Sequence, residues 1–163
     1  MSKRNLLVIA LQMLFLLFII FSHYSVVLLG EEITLKTRPV DPYDIFRGAY
    51  VTLSYEEESI HSEKVDISDE VKYGDYVYVS FTKVGDFHEV QQLTEHPPIN
   101  KPYLKVKYLY PDGFHHRVSF KLNRYYTNEK EALDLEQKVE KLLVHIKVKN
   151  GRGVITGISE ENE

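Results

Sequence analysis

His145-Ile146-Lys147-Val148-Lys149-Asn150-Gly151-Arg152-Gly153-Val154-Ile155-Thr156-Gly157-Ile158 carries a strand from His145 to Lys149, an Asn-Gly pair, and a returning strand from Val154 to Ile158. Asn-Gly accepts the positive φ angles of a tight hairpin turn, so this is the best hairpin signal in the chain. Working toward the N-terminus, Leu104 to Tyr110 meets Pro111-Asp112-Gly113 before Phe114 to Leu122 returns, a second turn with a mechanism. Asp75 to Val84, Gly85-Asp86 and Phe87 to Leu93 predict a third hairpin. Ile33 to Thr37 and Tyr50 to Tyr55 alternate in shorter runs. Strand follows strand with little helix between, so the expected fold class is mainly β (α+β): an antiparallel sheet or small barrel with one packed helix. That helix is predicted at about 13 residues. Asn128 is its N-cap, Glu131 follows, and Ala132, Leu135, Val139 and Leu142 form its apolar stripe.

The N-terminal part has a different composition. Lys3 and Arg4 are its only charged side chains, and Leu6 to Gly30 has none. At about 1.5 Å per residue those positions reach roughly 37 Å, more than the roughly 30 Å of a hydrocarbon core. A buried core helix would be shorter and two-faced. A cleaved signal peptide needs small residues before its cleavage site, where Leu28 or His23 stands instead. The expectation is a retained single-pass anchor over residues 1–30, meeting the bilayer through residues 6–29 and followed by a β-rich domain over 31–163. Lys3 and Arg4 place the N-terminus in the cytoplasm and the domain outside it.

The whole chain has 163 residues, 20 Lys+Arg against 24 Asp+Glu, and no cysteine. Without Lys3 and Arg4 the outer part keeps 18 basic against 24 acidic residues, a net of −6. That balance points away from nucleic acid and from general adhesion to anionic lipid. The missing thiols exclude a disulfide framework, a thiolate metal site and a cysteine nucleophile. No histidine pair has ligand spacing, and the adjacent His115 and His116 point to opposite faces of a strand. No cofactor or metal is expected. The 12 tyrosines are read as sheet packing with a polar tip, and Glu56-Glu57-Glu58 as a solvated end.

The densest functional candidate runs from Lys36 to Tyr50. Pro39 and Pro42 restrict the backbone, Asp41 and Asp44 stand three apart, and Arg38 and Arg47 flank them. Two accounts stay open: a loop whose arginines bond its own carboxylates, or a partner surface built from the same groups. Gly48-Ala49-Tyr50-Val51-Thr52-Leu53-Ser54-Tyr55 also aligns with Gly74-Asp75-Tyr76-Val77-Tyr78-Val79-Ser80-Phe81. A true repeat would place two related strands paired or stacked within one sheet.

Arg38-Pro39-Val40-Asp41-Pro42, Phe46-Arg47-Gly48, Tyr50, Leu53 and Tyr55 together resemble the signature of the GDYXXLXY family. Arg124-Tyr125-Tyr126 and the hairpin from Val144 to Ile158 resemble its later features. The departure is Ala49, which stands where the family name has Asp. The resemblance implies a bacterial, membrane-anchored protein and names no activity. A fainter likeness, an anchor followed by a Pro segment and an Arg-Gly strand, is to membrane signal peptidases with a Ser/Lys dyad. The serine is absent here, and Thr37 with Lys83 as base would have to replace it. The reading is a non-catalytic accessory module for a membrane-protein partner, contacting it through Arg38, Pro39, Asp41, Pro42, Asp44, Arg47, Gly48, Tyr50, Leu53 and Tyr55. An envelope hydrolase or peptidase and a small-ligand sensor are the alternatives.

Overall fold

A computed structural model describes residues 3–38, 50–127 and 142–160. α1 (Lys3–Leu29) is one unbroken helix, and its stretch Leu7–Leu29 is long and apolar enough to cross a membrane. Large apolar side chains from Leu7 to Phe21 stand exposed. The last two turns differ. Ser22, Ser25 and Val26 are partly or fully buried on one stripe, the spacing of a helix face laid against a neighbour. That neighbour is the sheet formed by the two C-terminal strands, and Arg152 Nη1 donates to Ser22 Oγ across the contact at 2.9 Å.

Gly30 makes the turn from helix to sheet. Its N–H donates to the Val26 carbonyl at 2.9 Å. A Cβ at this position would meet that oxygen at 2.3 Å and Val148 N at 3.1 Å, so only glycine lets strand follow helix without a linker.

The strands are β1 (Glu31–Lys36), β2 (Tyr50–Thr52), β3 (Ser59–His61), β4 (Val65–Asp66), β5 (Tyr76–Val84), β6 (Phe87–Thr94), β7 (Tyr103–Asp112), β8 (His115–Ser119), β9 (Arg124–Tyr126), β10 (Leu142–Lys149) and β11 (Arg152–Glu160). They form a three-stranded sheet β1-β10-β11, a two-stranded ribbon β2-β9, and a six-stranded sheet β3-β8-β7-β5-β6-β4. Pairing is antiparallel except for β4 on β6. Two isolated bridges stitch the layers, Thr37 with Tyr55 and Leu104 with Gly151. The result is a mainly β fold curled into a half-barrel. Alternate residues of β1, β5, β7 and β10 enter one shared core, with Ile33, Leu35, Val77, Val79, Leu104, Val106, Val144 and Ile146 all essentially inaccessible.

All three expected hairpins form. Asn150 and Gly151 take φ of 50° and 77°, the left-handed pair that joins β10 to β11. β5 and β6 turn at Gly85-Asp86. The third turn falls later than expected, at Gly113-Phe114, with Pro111 and Asp112 inside β7. Pro111 is tolerated because β5 pairs β7 only from Tyr103 to Lys107, so the far end of β7 needs no amide on that side.

Two expectations change. Leu142 is the first residue of β10 and buried, not the last position of a helical stripe; its hydrophobicity serves the sheet. The rest of the helix expected from Asn128 lies outside the described residues. The two repeat-like stretches neither pair nor share a sheet, since β2 pairs β9 while β5 is central in the six-stranded sheet. They share burial phase instead: Val51, Leu53 and Tyr55 match Val77, Val79 and Phe81, and all six are buried. Tyr55 and Phe81 reach the same ring, Phe120, at centroid distances of 5.7 and 6.0 Å.

Candidate functional site

The signature begins where β1 ends. Thr37 N and Thr37 Oγ1 both donate to the Leu142 carbonyl at 3.0 Å, which ties the strand end to β10. Arg38 N then donates to the Ser54 carbonyl at 2.9 Å, and Arg38 Nε to Ser54 Oγ at 2.6 Å. The arginine therefore closes the entry of the segment onto its exit. Leu53 N donates to the Asn123 carbonyl at 3.0 Å while its side chain fills the core. Tyr55 is inaccessible, and its hydroxyl donates to the Leu122 carbonyl at 2.6 Å. β2 pairs Tyr50, Val51 and Thr52 with Tyr126, Tyr125 and Arg124. The two tyrosine-rich stretches far apart in sequence are thus partners in one ribbon.

Pro39, Asp41, Pro42, Asp44, Arg47, Gly48 and Ala49 lie outside the described residues, and so does the expected pairing of the arginines with Asp41 and Asp44. Arg38, Leu53 and Tyr55 are brought together on the seam between the sheets.

Glu56-Glu57-Glu58 corrects the expectation of a solvated end. The three residues form a single 3-10 turn after Tyr55, and that geometry sends successive side chains in directions about 120° apart. Glu56 faces solvent. Glu58 Oε1 accepts from Phe120 N at 3.0 Å. Burial pushes the Glu58 carboxyl up, while the Phe120 and Tyr55 amides, Arg38 and Ser54 pull it down. Glu57 is the more exceptional group. It is buried beneath β1, its Oε1 accepts from Lys36 N at 3.4 Å, and its Oε2 has no hydrogen-bond partner. Burial, helped by the charges of Glu56 and Glu89, pushes its carboxyl up to about 7. Burial also raises the Tyr55 phenol, with Glu58 and Glu57 adding to it. An acidic triplet carries no sequence signal of burial, and only its position directly after a buried tyrosine could have pointed to it.

The remaining candidates separate. The Thr37 hydroxyl is buried and donates to a carbonyl, a poor setting for a nucleophile. Lys83 is exposed on β5, where it pairs His88 in register. His115 and His116 do take opposite faces: His115 packs edge-on against His61 at 5.2 Å, and His116 Nδ1 lies 3.0 Å from Tyr108 Oη. Among the described residues no cluster of three metal-ligating side chains occurs.

One constellation escaped the sequence reading because β1, β10 and β11 meet only in the fold. His145 Nε2 lies 2.8 Å from Ser159 Oγ, and its Nδ1 lies 3.3 Å from Thr34 Oγ1 and 3.8 Å from Glu32 Oε1. Glu32 is nearer to Lys147 Nζ, at 3.0 Å, and that ammonium lowers its carboxyl. Within the row Thr34 is buried and Glu32 exposed, and none of its residues lines a described cavity.

A family model described as GDYXXLXY protein matches residues 12–158, nearly the whole chain. No curated protein and no solved structure matches it. The match includes the second half of α1, the seam and the final hairpin.

Proposed function

We propose, from the premise that this chain belongs to the GDYXXLXY family, that it is a non-catalytic accessory module for a membrane-protein partner. In this reading residues 1–30 are a retained anchor with the N-terminus cytoplasmic, and residues 31–163 form an extracytoplasmic, bacterial, β-rich domain. The observation that supports it is the junction at Gly30. β1 begins one residue after α1, and about seven residues separate Gly30 from Arg38. Arg38, where the signature begins, is thereby held within roughly 25 Å of the helix end even if extended. A rigid junction holds a contact surface at constant height above the bilayer, which suits a protein that touches another membrane protein. The contact is assigned to the segment from Arg38 to Tyr50, because Leu53 and Tyr55 are consumed by the core.

Affinity purification of the full chain from solubilised membranes tests this. The reading expects a membrane protein to be recovered with the wild type and with Lys72→Gln, and lost with Arg47→Ala or Asp44→Ala. Equal recovery from all four, with unchanged thermal unfolding, counts against it.

A second reading, an outer-face hydrolase, draws on the Ser159–His145 hydrogen bond. An ester-hydrolysing activity that disappears in Ser159→Ala would favour it over the accessory role.

A further inference from the structure

The contact between α1 and the sheet leaves a groove of about 680 Å³, open along the helix. Its apolar floor continues from the helix face at Phe18 and Ile19, within the exposed stretch of α1. Its polar rim carries Lys105, Lys121 and Arg152, and no carboxylate lines it among the described residues. In a chain of net charge −4 this is a local reversal of sign. We propose that the groove seats one anionic phospholipid of the outer leaflet, its phosphate on Lys105, Lys121 and Arg152 and an acyl chain along Phe18 and Ile19. The inference goes beyond the accessory role and rests on that reading for two premises, that α1 is a membrane anchor and that the β domain lies on the outer side.

Three observations carry it. The first is height. Arg152 is fastened to Ser22, next to Phe21 at the end of the stretch of α1 that is exposed on all sides. Ser22, His23, Tyr24 and Ser25 are where the helix becomes polar, and Tyr favours the headgroup level. The cationic rim is therefore at the depth of lipid phosphates.

The second is the convergence of like charge. Beside the groove, the Nζ atoms of Lys105 and Lys121, with that of Lys107 just outside the lining, lie 4.3, 5.8 and 5.7 Å from the centroid of the Tyr76 ring, which is also outside it. The ring face offsets part of their repulsion, and an anion would offset more. Lys121 reaches this cluster from a left-handed backbone, φ 58°, a conformation that costs a non-glycine residue about 1 kcal/mol or more. Strain of this kind persists only where the surrounding structure over-determines it.

The third is the step in the helix surface. From Leu7 to Phe21 every side chain of α1 is exposed, whereas from Ser22 onward one stripe is covered by the sheet while Leu28 and Leu29 stay exposed. A lipid held in the groove, with its chain against Phe18 and Ile19, covers the step between the uncovered part of the helix and the underside of the domain.

Native mass spectrometry of the full chain, released from nanodiscs of phosphatidylcholine and phosphatidylglycerol in equal amounts, tests the site. The expected result is one retained phosphatidylglycerol in preference to phosphatidylcholine. The preference should fall roughly tenfold or more in Lys105→Gln/Lys121→Gln and stay in Lys83→Gln/Lys101→Gln, whose lysines do not line the groove. Near-UV circular dichroism checks that both variants are folded. Equal retention of the two lipids, or a preference unchanged by the Lys105/Lys121 pair, overturns the proposal. So does a preference abolished by inorganic phosphate, which would mark a soluble anion, or a lipid-free dimer, which would mark a second copy as occupant. A chain that fails to enter nanodiscs at all overturns the anchor itself, a result distinct from each of these.

Discussion

Tyr55 and Leu122 are joined by a 2.6 Å hydrogen bond from the phenol to the carbonyl, at a position with no solvent access on the tyrosine. The bond ties the 3-10 turn side of the seam to the chain just before β9. The tyrosine that closes the family signature is thus an internal clasp, and its neighbour Leu53 fills the same core. Tyr55→Phe keeps the ring against Phe120 and strands the Leu122 carbonyl. The expected loss is about 1–3 kcal/mol, with Leu53→Ala costing about 2–5 kcal/mol. Denaturant unfolding of the detergent-solubilised chain measures both, and a Tyr55→Phe protein as stable as wild type would contradict the clasp.

A buried carboxyl and a half-buried imidazole give the stability opposite pH slopes. Glu57 holds its proton up to about 7 in the folded chain, against an ordinary 4.5. Between those values the folded state binds more protons than the unfolded one, so stability falls as pH rises through the window, by on the order of 3 kcal/mol. Glu57→Gln should flatten that slope and stabilise the protein at about pH 8.

His88 works the other way. Its Nδ1 accepts the Thr34 amide at 3.1 Å, joining β1 to β6, and burial with Lys83 nearby lowers its imidazolium. The folded state then binds fewer protons than the unfolded one below the ordinary value of 6.5. This contribution is present above that pH and is lost progressively as pH falls below it. His88→Gln should remove the acid-side loss and leave the Glu57 slope intact. Unfolding free energy followed against pH in the two single variants separates the contributions; parallel curves in both would refute the assignment.

The helix-to-sheet junction is testable in a chain without native cysteine. Ser22→Cys/Arg152→Cys places thiols where a side-chain hydrogen bond now joins the elements, and oxidation should cross-link them. Adding Gly30→Val should abolish the cross-link, because any Cβ at that position meets Val26 O at 2.3 Å. Gel mobility before and after reduction reads the result, and a cross-link that survives Gly30→Val would show that the junction is not rigid.

The strands and their turns were legible because the information is local. Period-two alternation and an Asn-Gly turn act within a few residues, so the hairpin β10–β11 could be read directly from His145 to Ile158. The apolar run of α1 was equally plain, since an absence of charge over one long helix needs no tertiary context. The turn after β7 was misplaced by two residues because Pro111 looks like a turn residue until the limited reach of β5 is known. Leu142 likewise fitted a helical stripe as well as a strand.

Sequence alone determined that a long apolar helix precedes a mainly β body and which short runs become strands, because those properties follow from neighbouring residues. Tertiary structure decided which of those pieces meet. It buried Glu57, an ordinary acidic residue on paper, by laying the turn that carries it under β1. It paired Tyr50–Thr52 with Arg124–Tyr126, and it gathered Lys105, Lys121 and Arg152 beside Phe18. Such encounters depend on strand order and sheet curvature, which no local pattern encodes, and the chemistry of this protein resides in them.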